Sequence, residues 1–281
     1  MTSFDRRRFV TTIGAATLAA AAGCRPALAV QPGRRKLRRI GIQLYTLRGE
    51  MGRDLPGTLE RVAKIGYKEV EFAGYFNRPA TEIRALLDKN GLTAPSTHLA
   101  LTPIEREPQK TFDEAKAIGI EWLTVPSAPG RPTTVDDWKR IADQFNRAAA
   151  SAKAAGLRFA YHNHNSEFRR LGDTVPFDIL LANTDPSLVF FEMDLHWAVV
   201  GGADPIAYLD RFPGRVRMFH VKDSMGPPDH KMADVGAGMI DFRKIFAKDP
   251  TIEHYFVEHD QPGDAFASAA ASFQYLEKLE F

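Results

Sequence analysis

Short apolar segments alternate with longer amphipathic segments along most of this chain. From Ile40 onward, each run of apolar, β-branched or aromatic residues is followed by a polar cluster and then by a stretch with apolar residues three and four positions apart. The pattern occurs eight times, at intervals typical of strand-helix units. The predicted strands are residues 40–45, 69–73, 93–98, 122–126, 157–162, 188–193, 216–221 and 254–257.

The segments between these strands carry helix signals. Asp54 is placed to cap the first helix, with Pro56 in its opening turn and Gly66 at its exit. The longest predicted helix, residues 135–155, carries apolar residues along one stripe. Alternating strands and helices imply a parallel sheet, and eight units favour a closed barrel over an open sheet. The Gly-x-Gly-x-x-Gly motif of a Rossmann fold is absent after the first strand, and no linker-like stretch rich in Pro and Ser divides the region. We therefore expect a single α/β domain, a (β/α)8 TIM barrel over residues 40–281.

The first 29 residues have the features of an export signal rather than of a fold. Arg6-Arg7-Arg8-Phe9 matches the core of a twin-arginine signal, an apolar stretch follows, and Ala27-Leu28-Ala29 resembles a cleavage site. We expect export to the periplasm, with residues 30–39 as a basic linker and no membrane span. Ala22-Gly23-Cys24 is a weak match to a lipoprotein site, so a lipid anchor at Cys24 is the alternative.

Charge and cysteine content exclude several functions. The formal net charge of the chain is +2, but the basic N-terminal segments supply the excess, and the residues from Ile40 onward sum to −6. A body of this charge would repel a phosphate backbone, so we expect no nucleic-acid partner. Because Cys24 is the only cysteine, thiolate metal sites and cysteine nucleophiles are excluded in the barrel. Oligomeric state is left open by the sequence.

Polar side chains follow nearly every predicted strand, at the end where TIM barrels carry their active sites. They are Gln43, Tyr45, Glu71, Ser96, His98, His162, His164, Asp194, His220, Lys222, Glu258 and His259. Asp194 and Glu258 each follow an apolar run that would bury an unpaired carboxylate, and a cation would offset that cost. Imidazole and carboxylate ligands predict one divalent metal, which could be Mn, Mg, Co or Zn. His230 and His254 are instead interpreted as structural or surface residues.

Together these segments resemble the xylose isomerase-like TIM-barrel superfamily, which includes sugar isomerases and epimerases. The strongest matches are the segments at 42–46, 161–168 (Tyr-His-Asn-His-Asn-Ser-Glu-Phe), 192–197, 220–223, 235–242 and 257–260. The resemblance implies a metal held by Asp194, His220 and Glu258 and by a fourth ligand after the fifth strand. His162 stands where the epimerases carry Glu, so the fourth ligand is Glu167, favoured on charge, or His162. Trp197 stands where many relatives have a substrate-contacting His.

The resemblance also implies proton transfer on a sugar, keto-sugar or polyol through an enediolate. Glu258 or Glu167 would move the proton, His162, His164 or Lys222 would assist at the oxygens, and Tyr45, Glu71, His98 and Trp197 would bind the substrate. We expect an isomerase or epimerase. The alternative is a lyase that cleaves 3-keto-glycosides by β-elimination at the same metal site. Less favoured are an inactive sugar-binding barrel and an endonuclease IV-like enzyme.

Overall fold

Eight parallel strands close into a barrel in residues 35–281, the part of the chain that the computed structural model describes. The strands are β1 (Gly41–Gln43), β2 (Glu69–Phe72), β3 (Thr93–His98), β4 (Trp122–Val125), β5 (Arg158–His162), β6 (Val189–Asp194), β7 (Val216–Val221) and β8 (His254–Val257). Each strand pairs with its neighbours in sequence, and β1 closes the ring by pairing with β8. The prediction of a single (β/α)8 barrel is therefore confirmed.

Helices connect the strands around the outside of the barrel. They are α1 (Arg48–Arg53), α2 (Leu55–Ile65), α3 (Ala80–Asn90), α4 (Leu101–Arg106), α5 (Pro108–Ile118), α6 (Val135–Ala154), α7 (Pro176–Asn183), α8 (Leu195–Val200), α9 (Pro205–Arg211), α10 (Phe242–Lys248) and α11 (Ala265–Lys278). The predicted caps form as expected, since Asp54 accepts a hydrogen bond from Gly57 N and α2 ends at Gly66. An antiparallel ribbon of Asp223–Ser224 with Met232–Ala233 follows β7.

The first strand is shorter than the sequence pattern predicts. The chain leaves β1 after Gln43 and forms a 3-10 turn, Leu44–Leu47, because the Gln43 side chain accepts a hydrogen bond from Tyr45 N at 3.0 Å. Tyr45 therefore lies on this turn and is 42% exposed, rather than at a strand end.

An apolar layer fills the barrel beneath the polar strand ends. Trp122, Ala160, Met218 and Phe256 form a separate buried cluster, against which Phe190 packs. Residue 41 must be glycine for this packing, because a Cβ there would lie 2.5 Å from the Phe256 ring. The layer closes the barrel interior, so that the polar residues above it face only the C-terminal end.

The basic residues before β1 pack against the chain terminus. Arg35 and Phe281 exchange two backbone hydrogen bonds, and Lys36 pairs with Glu280 at 3.3 Å. Residues 35–39 of the predicted linker are thus part of the folded body. The predicted export segment, residues 1–29, and Cys24 lie outside the described residues, and their assignment stays a prediction. Within residues 35–281, no helix combines the length and apolarity that crossing a bilayer requires.

Candidate metal centre and substrate cavity

One carboxylate oxygen, Oε2 of Glu192 on β6, lies among three imidazole rings. It is 2.8 Å from His98 Nε2, 3.1 Å from His162 Nδ1 and 3.0 Å from His220 Nε2. The rings come from β3, β5 and β7, whose inward-facing positions meet at this level of the barrel. Glu192, His162 and His220 are buried, and His98 is half-buried. We name these four residues the inner group.

A second carboxylate, Glu71 on β2, contacts the same ring nitrogen of His220 that faces Glu192. Its Oε2 lies 2.6 Å from His220 Nε2 and accepts a hydrogen bond from Gln43 at 2.7 Å. Its other oxygen accepts from the Ser96 hydroxyl at 2.5 Å. The Glu71 carboxylate is therefore fixed by neighbours on adjacent strands.

Asp194, His220 and Glu258 form an outer group at the strand ends. One ligand atom from each lies within 4.8 Å of the others, and His220 Nδ1 is 2.7 Å from Glu258 Oε2. The Lys222 ammonium lies between the carboxylates, 3.0 Å from Asp194 and 2.8 Å from Glu258, and donates to Asp260 at 2.8 Å. His220 belongs to both groups because its two ring nitrogens face opposite ways.

A cavity of about 450 Å³ opens above these groups. Its walls are Tyr45, Arg48, Ala73, His98, Pro126, His162, His164, Lys222, Glu258, Asp260 and Gln261. The inner group reaches the cavity through His98 and His162, and the outer group reaches it through Glu258. The cavity is within the usual range for a small-molecule site.

Burial and neighbouring charges set the protonation of the cluster. Burial would lower the pKa of His220, but Glu192 and Glu258 raise it well above its usual value. Burial lowers the pKa of His162 well below its usual value, and His220 adds to this effect. Burial would also lower the pKa of Lys222, but Asp194 and Glu258 raise it. Burial would likewise lower the pKa of His98, but Glu71 and Glu192 raise it. Without a metal, His162 is therefore neutral, and positive charge is favoured on the other groups, above all on His220 and Lys222.

His164 on the cavity wall is also uncharged at neutral pH. Burial lowers its pKa to about 4, and the Lys222 ammonium contributes to the decrease. The pKa of Asp194 changes in the opposite direction. Burial raises it to about 6, although the Lys222 ammonium opposes the increase.

The cluster fits a divalent metal ion. Among the described residues, Glu192 Oε1 and Asp194 Oδ2 are buried side-chain oxygens without a hydrogen-bond partner. Asp194 Oδ2 lies near the Lys222 ammonium, but outside hydrogen-bond geometry. Buried carboxylate oxygens are costly unless hydrogen-bonded, paired or bound to a metal, and imidazole with carboxylate is a common donor set for transition metals. The His/Glu cluster could thus hold a metal, whose identity the residues leave open.

Glu167, the favoured fourth ligand in the sequence analysis, is placed elsewhere. Its carboxylate accepts hydrogen bonds from the Tyr161 hydroxyl at 2.5 Å, the Ser166 hydroxyl at 2.7 Å and His164 N at 3.1 Å. These bonds hold the 3-10 turn Asn165–Phe168, and Glu167 is neither in the metal-capable groups nor on the cavity wall. His162, the other candidate, belongs to the inner group, and its Nε2 lies 3.8 Å from Asp194 Oδ2.

Other predicted substrate contacts are divided between the cavity and its support. Tyr45 and His98 line the cavity, whereas Glu71 is fully buried beside His220. Trp197 is not on the described cavity wall. Its backbone N–H donates to Asp194 at 2.8 Å, and its ring lies 5.8 Å from the Lys222 ammonium. Glu71 and Trp197 therefore contact residues that line the cavity, and neither of them borders it directly.

The glycine loop before α10 binds an internal carboxylate. The backbone N–H groups of Ser224, Gly236, Gly238 and Ile240 all donate to Asp223, at 2.8 to 3.1 Å. The fully buried Asp223 carboxylate thus occupies the donors that a phosphate would need.

Glu192 was missed as a site residue by the sequence analysis. A signal for it exists: Glu192 precedes Asp194 by two positions, and the strand period of two places both on the inner face. The signal is weak, because His98 and His220 are four strand-helix units apart. The sequence alone does not show that both rings face the Glu192 carboxylate.

Comparisons with known proteins identify the family of this barrel. The model of the xylose isomerase-like TIM barrel family matches residues 59–248. The chain belongs to this family. Its relatives include the inosose dehydratase of Clostridium beijerinckii, 30% identical over 226 residues that cover 67% of this chain and 75% of that protein. The inosose dehydratase of Geobacillus kaustophilus is 26% identical over 243 residues, covering 69% and 78%.

Solved structures contain the same barrel. A sugar phosphate isomerase/epimerase from Parabacteroides distasonis superposes with a TM-score of 0.75 at 30% identity, covering 89% of this chain and 95% of that chain. The IolI protein, solved with a bound zinc atom, has a TM-score of 0.67 at 14% identity and covers 84% of this chain and 95% of its own. At 14% identity, this second likeness shows the fold alone.

Proposed function

We propose that this chain is a lyase that eliminates an oxygen substituent from a cyclic keto-sugar or keto-polyol. Both curated relatives described above are named inosose dehydratases, and dehydration is an elimination. They support the elimination alternative of the sequence analysis more strongly than its first interpretation, an isomerase or epimerase.

The observation that carries the proposal is the Glu258–Lys222 pair on one wall of the cavity. The Glu258 carboxylate and the Lys222 ammonium are 2.8 Å apart, and both face the cavity. An elimination needs a base for the C–H bond and an acid for the leaving oxygen. Glu167, the other carboxylate considered for proton transfer, is outside this wall.

The chemistry of this pair balances without a further reactant. Glu258 takes the proton from the carbon next to the ketone, and the electron pair of that bond forms a C=C bond as the β C–O bond breaks. The leaving oxygen keeps the C–O electron pair and takes a proton from Lys222. Because the carboxylates around Lys222 raise its pKa, this proton passes only to a strong base such as an alkoxide. The proton on Glu258 then returns to Lys222 across 2.8 Å.

Metal-capable side chains border the same space. His98 and His162 of the inner group and Glu258 of the outer group reach the cavity wall. When bound, a divalent ion supplies positive charge that stabilises the negative oxygen of the enolate. The neutral His164 can donate a hydrogen bond to a substrate hydroxyl and so orient the ring.

An unphosphorylated substrate fits this cavity better than a sugar phosphate. The glycine loop, whose N–H groups could have held a phosphate, is occupied by Asp223. On the cavity wall, Lys222 is already paired with carboxylates, and the Arg48 guanidinium stacks on Tyr45 at 4.2 Å from the ring centroid.

Proton NMR in D2O tests the proposal. We expect the metal-loaded protein to convert inososes or 3-keto-glycosides to unsaturated ketones, with release of water or of the aglycone alcohol respectively. Deuterium incorporation into a retained substrate without elimination would indicate an isomerase or epimerase instead. Binding without exchange or elimination would indicate a sugar-binding barrel.

Glu258→Gln tests the assigned base. We expect a loss of at least roughly 100-fold in turnover, the lower end of what a general base contributes. Glu253→Gln is the matched control at the N-terminal end of the same strand, where Glu253 pairs with Arg158 and Arg217 away from the cavity. Equal activity of the two variants would contradict the role of Glu258.

A further inference from the structure

We propose that a groove beside the cavity is a second subsite, which binds the leaving part of a keto-glycoside when that part carries a carboxylate. This side groove has a volume of about 650 Å³, and its walls are residues 46–50 and 261–266 together with Arg61. The proposal rests on the elimination proposed above and narrows its substrate class. The substrate becomes a glycoside with an acidic aglycone rather than a free cyclic ketone.

The side groove continues the cavity that holds the assigned base. Arg48 and Gln261 line both spaces, so the two share a border. Gln261 follows the base, Glu258, by three positions on the loop after β8. A hydrogen bond from His259 N to Thr46 Oγ1, at 3.0 Å, joins this loop to the turn after β1 and so connects the two walls of the groove. A group that leaves the ring beside Glu258 therefore has space to extend into the side groove.

The sizes of the two spaces favour a two-part ligand. The cavity of about 450 Å³ is towards the lower end of the usual range for small-molecule sites, roughly 300–1,000 Å³, and suits a single ring. The side groove adds about 650 Å³. A free inosose would leave this second space to solvent, whereas the aglycone of a glycoside would fill it.

Two arginines of the side groove have no carboxylate partner. In the part of the chain that the structure describes, neither Arg48 nor Arg61 forms an ion pair. The carboxylates of the groove are already engaged, since Glu50 pairs with Arg53 and Asp264 accepts from the first backbone N–H groups of α11. An anionic ligand would thus meet two guanidinium groups that no carboxylate of the protein occupies.

Aromatic rings hold both guanidinium groups in place. Arg48 lies over the Tyr45 ring at 4.2 Å from its centroid and donates to Tyr45 O at 2.8 Å, and Arg61 lies over the Phe266 ring at 3.8 Å. The N–H groups of a guanidinium lie in its plane, so this contact leaves donors free for the two parallel hydrogen bonds that a carboxylate accepts. Because the side chains are held before binding, less of their conformational freedom is lost on binding. These features favour a carboxylate over a neutral polar group.

Binding of two matched glucosides tests the subsite without catalysis. The glucosides of 4-hydroxybenzoate and 4-hydroxybenzamide differ only in the carboxylate, and neither has the ketone that elimination requires. We expect calorimetric titration of the metal-loaded wild type to show at least roughly 10-fold tighter binding of the acid, the lower end for hydrogen bonds to a charged group. Equal affinities, or no binding of either glucoside, would overturn the proposal.

Arg61→Met tests the assigned charge. We expect it to remove most of the preference for the acid, whereas Lys64→Met, which removes a charge from the same helix outside the groove, should retain the preference. A preference that Arg61→Met leaves intact would overturn the role of the side groove.

A larger side chain at residue 49 tests the shape of the subsite. Gly49 lies on the groove wall, and an added Cβ would have no other part of the protein within 4 Å, so Gly49→Leu fills the space without a clash. We expect it to weaken binding of the acidic glucoside by roughly 10-fold or more. Gly52→Leu, on the same helix but outside both spaces, is the matched control and should bind as the wild type does. Equal affinities of the two variants would refute the subsite.

The NMR assay separates failure of this proposal from failure of the elimination. It is repeated with the 3-keto derivatives of both glucosides. Elimination with equal KM values for the two would retain the lyase and overturn the carboxylate subsite. Acid-selective binding without elimination would retain the subsite and overturn the lyase.

Discussion

At the scale of single residues, hydrogen-bond partners decide what each carboxylate can do. Glu167 and Glu258 both follow strands in positions where the sequence suggests a ligand or base. Glu167 accepts hydrogen bonds from Tyr161 on β5 and from His164 and Ser166 beside it, whereas Glu258 faces His220 and the Lys222 ammonium. Burial would raise the pKa of Glu258, but Lys222 and His220 lower it well below its usual value. Glu258 is therefore ionised at the cavity, and Glu167 stabilises local structure.

Glu167→Gln is expected to leave metal content unchanged and to reduce stability. The amide nitrogen of Gln cannot accept, so one of the three donors loses its partner, which costs roughly 1–3 kcal/mol for a buried group. Metal analysis and urea unfolding of the variant measure the two effects. Loss of the metal with unchanged stability would restore Glu167 as the fourth ligand.

Lys222 is a buried residue whose ammonium group is paired with three carboxylates. It is only 2% exposed and contacts the carboxylates of Asp194, Glu258 and Asp260. Removing one partner from a buried ionic network leaves uncompensated charge, a larger effect than loss of a surface ion pair.

We therefore expect Lys222→Met to destabilise the protein by roughly 3–5 kcal/mol and to abolish elimination. Lys248→Met, which removes a partly exposed pair with Asp210, should cost less than about 1 kcal/mol. Chemical unfolding and the NMR assay compare the two. Comparable stability of both variants would show that the outer carboxylates do not depend on Lys222.

At the scale of elements, the alternation of side chains along the strands positions the site residues, and helix caps stabilise the helices around the barrel. On β6, the period of two places Glu192 and Asp194 one above the other, in the inner and outer groups respectively. On the outside, α6 begins at a capping box in which Thr134 and Asp137 bind each other's backbone N–H groups. Hydrogen bonds from Thr133 and Thr134 lower the pKa of Asp137 to about 2.

This cap predicts a pH dependence of stability. Because the folded pKa of about 2 lies below an unfolded value of about 3.9, the contribution of Asp137 is complete above pH ~4 and is lost as the pH falls towards 2. Asp137→Ala should lower the melting temperature at pH 6, and its difference from the wild type should shrink towards pH 2. Asp136→Ala, on the same turn, should show little of this trend. A pH-independent difference for Asp137→Ala would contradict the charged cap.

At the scale of the whole molecule, barrel closure concentrates charged residues at one end. The apolar layer around Trp122 and Phe256 separates this end from the rest of the interior. Buried charges and imidazoles are costly there, so an ion that binds only the folded state must stabilise it.

Removing the metal should therefore lower the melting temperature. An ion at about 100 times its dissociation constant contributes roughly 2.7 kcal/mol, equivalent to roughly 5–10 °C for a domain of this size. Differential scanning fluorimetry after chelation and after addition of zinc or magnesium measures the shift. We expect a divalent ion that binds the site to restore the loss, and equal melting temperatures with and without metal would contradict a bound ion.

The sequence by itself determined the barrel and most of the strand ends. Alternating periodicities and turn residues are local, so β3, β7 and β8 have the predicted bounds, and α6 differs by one residue. The active end was predictable for the same reason, because His98, His162, His220 and Glu258 all occur where strands end.

Only the tertiary structure decided how these residues combine. Glu192 meets His98, and Glu71 meets His220, across gaps of 94 and 149 residues, and sequence periodicity contains no information on such distances. Likewise, Glu167 accepts from Tyr161, His164 and Ser166, and Asp223 accepts from the backbone of the glycine loop. The positions of the strands can thus be predicted from local sequence patterns. Which side chains meet at the metal-capable site depends on barrel closure, which brings distant residues within hydrogen-bond distance.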